Sequence, residues 1–312
     1  MDFLYFLEKI RLPVLDEFML FITKFGEEEA FLIAALVVFW CISKNIGYYI
    51  LSIGFIGTIT NQFMKLWFRV PRPWEIDPNF SILEQAKQAA TGYSFPSGHT
   101  QCAVGTFGAL CVTTKRQWLR AAALLIAVFV PISRMYIGVH TPADVGAAAL
   151  IAILLLAFLH PISKPGKEQM FAILLGLMFL LNIAYLLFVE LYAFPQDVAP
   201  HHLLSGKESA YTFLGAIVGF VFVYLADKKW INFETEAVWW AQILKVVIGL
   251  SIVLALKTLT KMPLNALLGE FFGRSVRYFL VVVFAGCLWP LSFSWFGKIG
   301  NRNKNMEEQV NE

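Results

Sequence analysis

The sequence predicts an all-α protein, a polytopic bundle of about nine transmembrane helices preceded by an interfacial amphipathic helix. Three observations carry that expectation. Of 312 residues, 58% are hydrophobic and only 15% are charged, where a soluble domain carries about 25% charge. Apolar runs near the ~20 residues that cross a bilayer as a helix recur along the whole chain. Short polar connections separate most of them.

The elements follow in order. Residues 1–26 mix apolar side chains with Glu8, Lys9, Arg11, Asp16 and Glu17, and Pro13 interrupts them. That is a poor secretory h-region and a better amphipathic segment lying on the membrane surface. Apolar stretches follow at 27–44, 47–67, 97–114, 117–137, 142–162, 169–190, 208–227, 238–257 and 275–297. The first is short, and Glu27, Glu28 and Glu29 crowd its edge. Two connections are long: 68–96, with Pro71, Pro73 and Pro78, and 191–207, with Pro195, Pro200 and the pair His201-His202. The expected organisation is a surface segment 1–26, a membrane core 27–165, further helices 166–300 and a polar tail 301–312.

A net charge of +3, scattered through loops, excludes the basic stripe that nucleic-acid binding needs. Cys41, Cys102, Cys111 and Cys287 lie in apolar runs without metal-ligand spacing, and read as small buried hydrophobes. The Lys and Arg residues divide almost evenly between the two faces of a nine-span chain, so charge does not set orientation.

Three polar clusters interrupt this background. Lys65 and Arg72-Pro73 lie near the end of the second span. By themselves they read as cations snorkelling to headgroups, and Arg69 between them fits that better still. Pro96-Ser97-Gly98-His99 opens the third span. Ser97 suits an N-cap, and the free amides of a helix start can hold an anion, though an ordinary cap reads the same way. Ser133-Arg134 ends the fourth span, and His140 with Asp144 begins the fifth. Thr141-Pro142-Ala143-Asp144 resembles a capping box, which by itself would account for Asp144. The spacing of four also brings His140 and Asp144 together across one helical turn, where an acid can fix the imidazole tautomer. Antiparallel spans then put all these clusters on one membrane face. Lys245, inside the eighth stretch, is a charge without an evident partner.

Taken together, the clusters resemble the signature segments of the type 2 phosphatidic acid phosphatase superfamily, which also holds glucose-6-phosphatase and vanadium haloperoxidases. The resemblance rests on Lys65, Arg72, Pro73, Pro96, Ser97, Gly98, His99, Ser133, Arg134, His140 and Asp144, in order. It is tight over 65–144 and looser over the last spans, which resemble members with extra C-terminal helices. It implies a membrane phosphatase that hydrolyses a lipid phosphate or diphosphate, such as undecaprenyl diphosphate, phosphatidate or phosphatidylglycerol phosphate, through a phosphohistidine. Lys65, Arg72, Ser97, Gly98 and Arg134 would hold the phosphate. His140 would attack, Asp144 would orient it, and His99 would protonate the leaving group and then activate water. No metal or cofactor, no nucleic acid and no obligate protein partner is implied, and the site would face outward from a plasma (inner) membrane. A phosphotransferase moving phosphate between lipids, or a non-catalytic lipid-binding or transport protein, are the competing expectations. His160, His201 and His202 have no family counterpart.

Overall fold

The computed structural model describes residues 1–87, 90, 92–196 and 198–299. The polar tail expected at 301–312 lies outside the described residues. The described chain is helical throughout, without a strand. The helices are α1 (Asp2–Lys9), α2 (Pro13–Thr23), α3 (Glu28–Cys41), α4 (Lys44–Phe68), α5 (Pro73–Ile76), α6 (Glu84–Lys87) and α7 (Gly98–Thr113). They continue as α8 (Gln117–Tyr136), α9 (Pro142–Leu159), α10 (Glu168–Leu191), α11 (Pro200–Ala226), α12 (Trp239–Leu259), α13 (Lys261–Leu268) and α14 (Glu270–Val283).

Six helical segments are long and apolar enough to cross a membrane: Gln117–Tyr136, Pro142–Ser163, Glu168–Leu191, Pro200–Ile231, Trp239–Leu268 and Glu270–Ile299. The expected count of about nine is not confirmed, and the difference has a physical basis. With 14 and 16 residues, α3 and α7 rise only about 21 and 24 Å, short of a hydrocarbon core of roughly 30 Å. Helix α4 has 25 residues, but Lys44, Asn45, Asn61, Gln62 and Lys65 dilute its apolar character.

At the centre, α7 packs against α4, α8 and α9. One apolar cluster fills the α7–α8 contact, with Ala103, Phe107, Ala123, Ala127 and Val130. A larger one runs from Trp40, Tyr49 and Ile53 to Phe171, Met178 and Ile217, joining α3 and α4 to the C-terminal helices. The C-terminal half docks through α10 and α11 on α4, and α14 packs closely on α11. That last contact depends on Gly215 and Gly219, one turn apart. A Cβ at Gly215 would sit 1.9 Å from the Ser275 carbonyl oxygen, so only glycine lets the two backbones approach this closely.

The amphipathic N-terminus forms two helices. Leu4 and Leu7 of α1 are buried while Phe3 and Phe6 are exposed. Helix α2 packs on α8. Between them Arg11 clamps the end of α8, donating from Nε and Nη2 to the Tyr136 carbonyl at 3.1 and 2.9 Å and from Nη1 to the Ser81 carbonyl at 2.9 Å. The Tyr136 hydroxyl donates to Asp16 at 2.6 Å.

Candidate active site

Four helix ends build the site. Helix α4 stops because Arg69 takes the left-handed conformation, φ 51°, with its amide on the Lys65 carbonyl at 3.0 Å. A non-glycine residue held there is strained by roughly 1 kcal/mol or more. The stop leaves Lys65 in the last turn of α4, and Pro71 and Pro73 then carry Arg72 back toward it. Helix α7 begins at Ser97, whose Oγ accepts from the Thr100 amide and hydroxyl at 3.4 and 3.0 Å. The amides of Gly98 and His99 belong to the first turn, where no intrahelical acceptor exists. Between α8 and α9, Gly138 takes φ 89°, and the amides of Val139 and His140 both donate to the Arg134 carbonyl, at 3.2 and 3.3 Å. This tight turn fixes Arg134 and His140 relative to each other. Helix α9 opens with the reciprocal capping box: Asp144 Oδ2 accepts from the Thr141 amide at 2.7 Å, and Thr141 Oγ1 accepts from the Asp144 amide at 3.3 Å. The Ser97 amide donates to the Asp144 carbonyl at 3.1 Å, joining α7 to α9.

These ends converge on His140. Its Nε2 lies 3.1 Å from Arg72 Nη1, and its Nδ1 lies 3.6 Å from Asp144 Oδ2. Arg72 is held by the carbonyls of Gly92, from Nε at 3.1 Å, and Val139, from Nη1 at 3.0 Å. Lys65 Nζ donates to the Tyr93 carbonyl. Arg134 Nη1 donates to Thr23 Oγ1 at 2.8 Å, while its Nε is buried without a partner among the described residues. Arg72, Arg134, His140 and Asp144 are each at most 3% exposed, so the charges act in a medium that screens them poorly.

Burial lowers the His140 pKa well below its usual range, and the positive charges of Arg72, Arg134, Lys65 and His99 lower it further. The imidazole is therefore neutral at physiological pH, with a lone pair available. Burial also lowers Arg72, to about 10, against the opposing pull of Asp144 and Glu75. It stays cationic at physiological pH.

Of the site residues expected from the sequence, Lys65, Ser97, Gly98, His99, Arg134, His140 and Asp144 lie at these four helix ends, and Arg72 caps the short helix α5. Asp144 caps α9, and its Oδ2 stands 3.6 Å from His140 Nδ1. Two contacts were not legible. Ser94, fully buried, lies between Asp144 and His140, and only its position three residues before the Ser97 cap hinted at it. His202, at the start of α11, stacks on Tyr93 with ring centroids 4.1 Å apart, so the C-terminal helices touch the loop that holds Lys65. A cavity of about 500 Å³ lined by Lys44, Phe233, Glu234 and Glu236 lies at the opposite end of the helices, away from this chemistry. Lys245 is fully buried, donates to the Thr235 carbonyl at 3.1 Å and lies over the Phe293 ring at 4.3 Å. Its partners are a loop carbonyl and an aromatic face.

Apolar spanning helices that carry a buried cluster of cations around a neutral histidine define an integral-membrane phosphatase acting on lipid phosphates or diphosphates. Residues 45–166 match the PAP2 superfamily, and residues 211–302 match the PAP2 superfamily phosphatase, transmembrane extension. The chain belongs to the PAP2 superfamily, and the two matches together take in more than half of it. Over 143 residues it is 28% identical to the undecaprenyl-diphosphatase of Sulfolobus acidocaldarius, covering 45% of this chain and 67% of that protein. No solved structure matches at a significant level.

Proposed function

We propose that the protein removes the terminal phosphate from a polyprenyl diphosphate or a related lipid phosphate through a phosphohistidine on His140 Nε2, without a metal ion. The observation that carries this reading is the buried His140, its Nε2 3.1 Å from Arg72 Nη1, with the buried cations Arg134 and Lys65 close enough to act on its charge. Lys65, Arg72 and Arg134 neutralise the phosphoryl oxygens, and the Ser97–Gly98–His99 helix start supplies amide donors. His140 Nε2 attacks phosphorus, and His99 gives a proton to the departing oxygen. In the second half, His99 takes a proton from water as the water attacks the phosphohistidine. Three cations supply the charge stabilisation that phosphoryl transfer needs. Among the described residues, no group of three or more His, Cys, Asp or Glu side chains is placed to bind a metal.

The polyprenyl substrate is suggested by the name of the Sulfolobus relative and by the aromatic surface beside the site. Trp67 and Phe68 at the end of α4 and Ile76 at the end of α5 are about half exposed, and Trp67 clusters with Phe63, Phe188 and Tyr192. Such rings favour the headgroup level, where an apolar tail can stay in the bilayer while its phosphate meets His140. Phe80 and Leu83, from the same loop, are committed to the core instead. In this reading residues 27–165 form the catalytic core, 166–300 are additional membrane helices, and the site opens outward from the plasma membrane.

The test is phosphate release from a polyprenyl diphosphate in detergent micelles containing excess EDTA, with ³²P trapping of the phosphoenzyme. Wild type should turn over and trap label on histidine, and His140→Ala should do neither. Near-normal turnover by His140→Ala, or complete loss of wild-type activity in EDTA, would overturn the mechanism.

A further inference from the structure

The distance from Asp144 to His140 is too long for the direct bond that an orienting acid would make. Oδ2 lies 3.6 Å from Nδ1, beyond hydrogen-bond length. The same oxygen already accepts two short bonds, from the Thr141 amide at 2.7 Å and from the Ser94 hydroxyl at 2.6 Å. A carboxylate oxygen offers about two lone-pair directions, so both are occupied. Nor can the carboxylate move closer without giving up the cap of α9. Ser94 Oγ lies 0.2 Å nearer, in a long contact of 3.4 Å with His140 Nδ1, and unlike Oδ2 it retains a lone pair to accept a proton donor. Ser94 is fully buried, and its amide is pinned to the Val70 carbonyl at 2.8 Å.

We propose that Ser94 is the positioning residue through which Asp144 acts on His140: the Nδ1–H donates to Ser94 Oγ, and the Ser94 hydroxyl donates to Asp144 Oδ2. The proposal rests on His140 being the nucleophile. With the ring proton on Nδ1, the lone pair sits on Nε2, the atom that faces Arg72. When the Nε2–P bond forms, the bond from phosphorus to the leaving oxygen breaks, and its electron pair departs with that oxygen, which takes a proton from His99. The Nδ1 proton stays in place, so the phosphorylated ring carries a positive charge. The polarised hydroxyl passes the influence of the Asp144 charge to that ring. Ser94 itself faces Asp144 and Nδ1, on the side of the ring away from the phosphate.

The experiment compares kcat, KM and the pH profile of Ser94→Ala, Ser94→Thr, Asp144→Ala and the double Ser94→Ala/Asp144→Ala protein, with His140→Ala alongside. Ser94→Ala should lower kcat by about 10–100-fold, the loss seen when a group hydrogen-bonded behind a metal-ligating histidine is removed. Its KM should stay within about threefold of wild type, because no substrate contact is removed. Its acid limb should move to lower pH, since the protonated ring loses an acceptor. Ser94→Thr keeps the hydroxyl and should recover most of kcat. The double variant should be no slower than Asp144→Ala, because both changes break one chain. A Ser94→Ala kcat within about threefold of wild type, or a double loss equal to the product of the single losses, overturns the proposal. If Ser94→Ala does not fold, Ser94→Cys keeps the size with a weak donor and is held to the same criteria. Normal turnover by His140→Ala removes the nucleophile assignment and the relay with it. An inactive His140→Ala beside an unimpaired Ser94→Ala removes the relay alone.

Discussion

Replacing Arg72 by lysine keeps the charge and discards the geometry, and so separates two contributions to the site. The guanidinium spreads its donors: Nε reaches the Gly92 carbonyl at 3.1 Å, while Nη1 reaches the Val139 carbonyl at 3.0 Å and His140 Nε2 at 3.1 Å. A lysine ammonium concentrates its donors on one nitrogen and cannot serve both ends of that fork. At least one buried carbonyl is left without its charged donor, a loss of about 1.5–3 kcal/mol. Catalysis loses more selectively. Bidentate donation to the phosphoryl oxygens is replaced by a point charge, and removing one preorganised donor to a developing anion costs about 100–1,000-fold in kcat. The assay is phosphate release from lipid diphosphate micelles by wild type, Arg72→Lys and Arg72→Ala, with Tm measured in the same detergent. We expect Arg72→Lys to fall about 100-fold or more in kcat and Arg72→Ala further. An Arg72→Lys protein within about threefold of wild type, with an unchanged Tm, would show that charge alone suffices and refute the argument from the fork.

Three further outcomes can be checked. Protonated His140 cannot attack, and its pKa is lowered below the usual 6.5. On kcat/KM of the free enzyme, His140 should therefore impose an acid limb that lies below pH 6.5. Tm should also fall below that pH, because the unfolded chain takes up the proton before the folded one does; an acid limb centred above 6.5 contradicts both. Gly215→Leu should lower Tm by several degrees or prevent folding, since even a Cβ there meets the Ser275 carbonyl at 1.9 Å, and overpacking costs about 1–3 kcal/mol or more. Gly176→Leu, where a Cβ meets nothing within 4 Å, is the control, and equal Tm values for the two would count against the close α11–α14 contact. For orientation, a cysteine placed at the exposed Asn79 should react with an impermeant maleimide in intact cells; reaction only after lysis would place the site on the inner side.

The sequence by itself determined the class of fold, because bilayer thickness and backbone hydrogen bonding leave few structures for a chain this apolar. It also pointed to the residues of the candidate site. Lys65, Arg72, Ser97, His99, Arg134, His140 and Asp144 stand at helix ends, and helix ends are written locally, in caps, prolines and polarity. Alternation of the chain between faces then collects those ends at one depth. The count of about nine spans is not confirmed in this way, because α3 and α7 are short and polar residues dilute α4. The contacts of Ser94 with Asp144 and His140, and of His202 with Tyr93, lay beyond sequence as well. Ser94 is 46 residues from His140, and no local spacing reports a hydrogen bond across that separation. Whether Asp144 meets His140 directly or through a hydroxyl is a matter of less than 1 Å. That interval is set by how α7 and α9 lock together at the Ser97–Asp144 bond and by the cap that holds the carboxylate in place. Periodicity brings two side chains to the same face of a helix; only the packed structure fixes which atom stands between them.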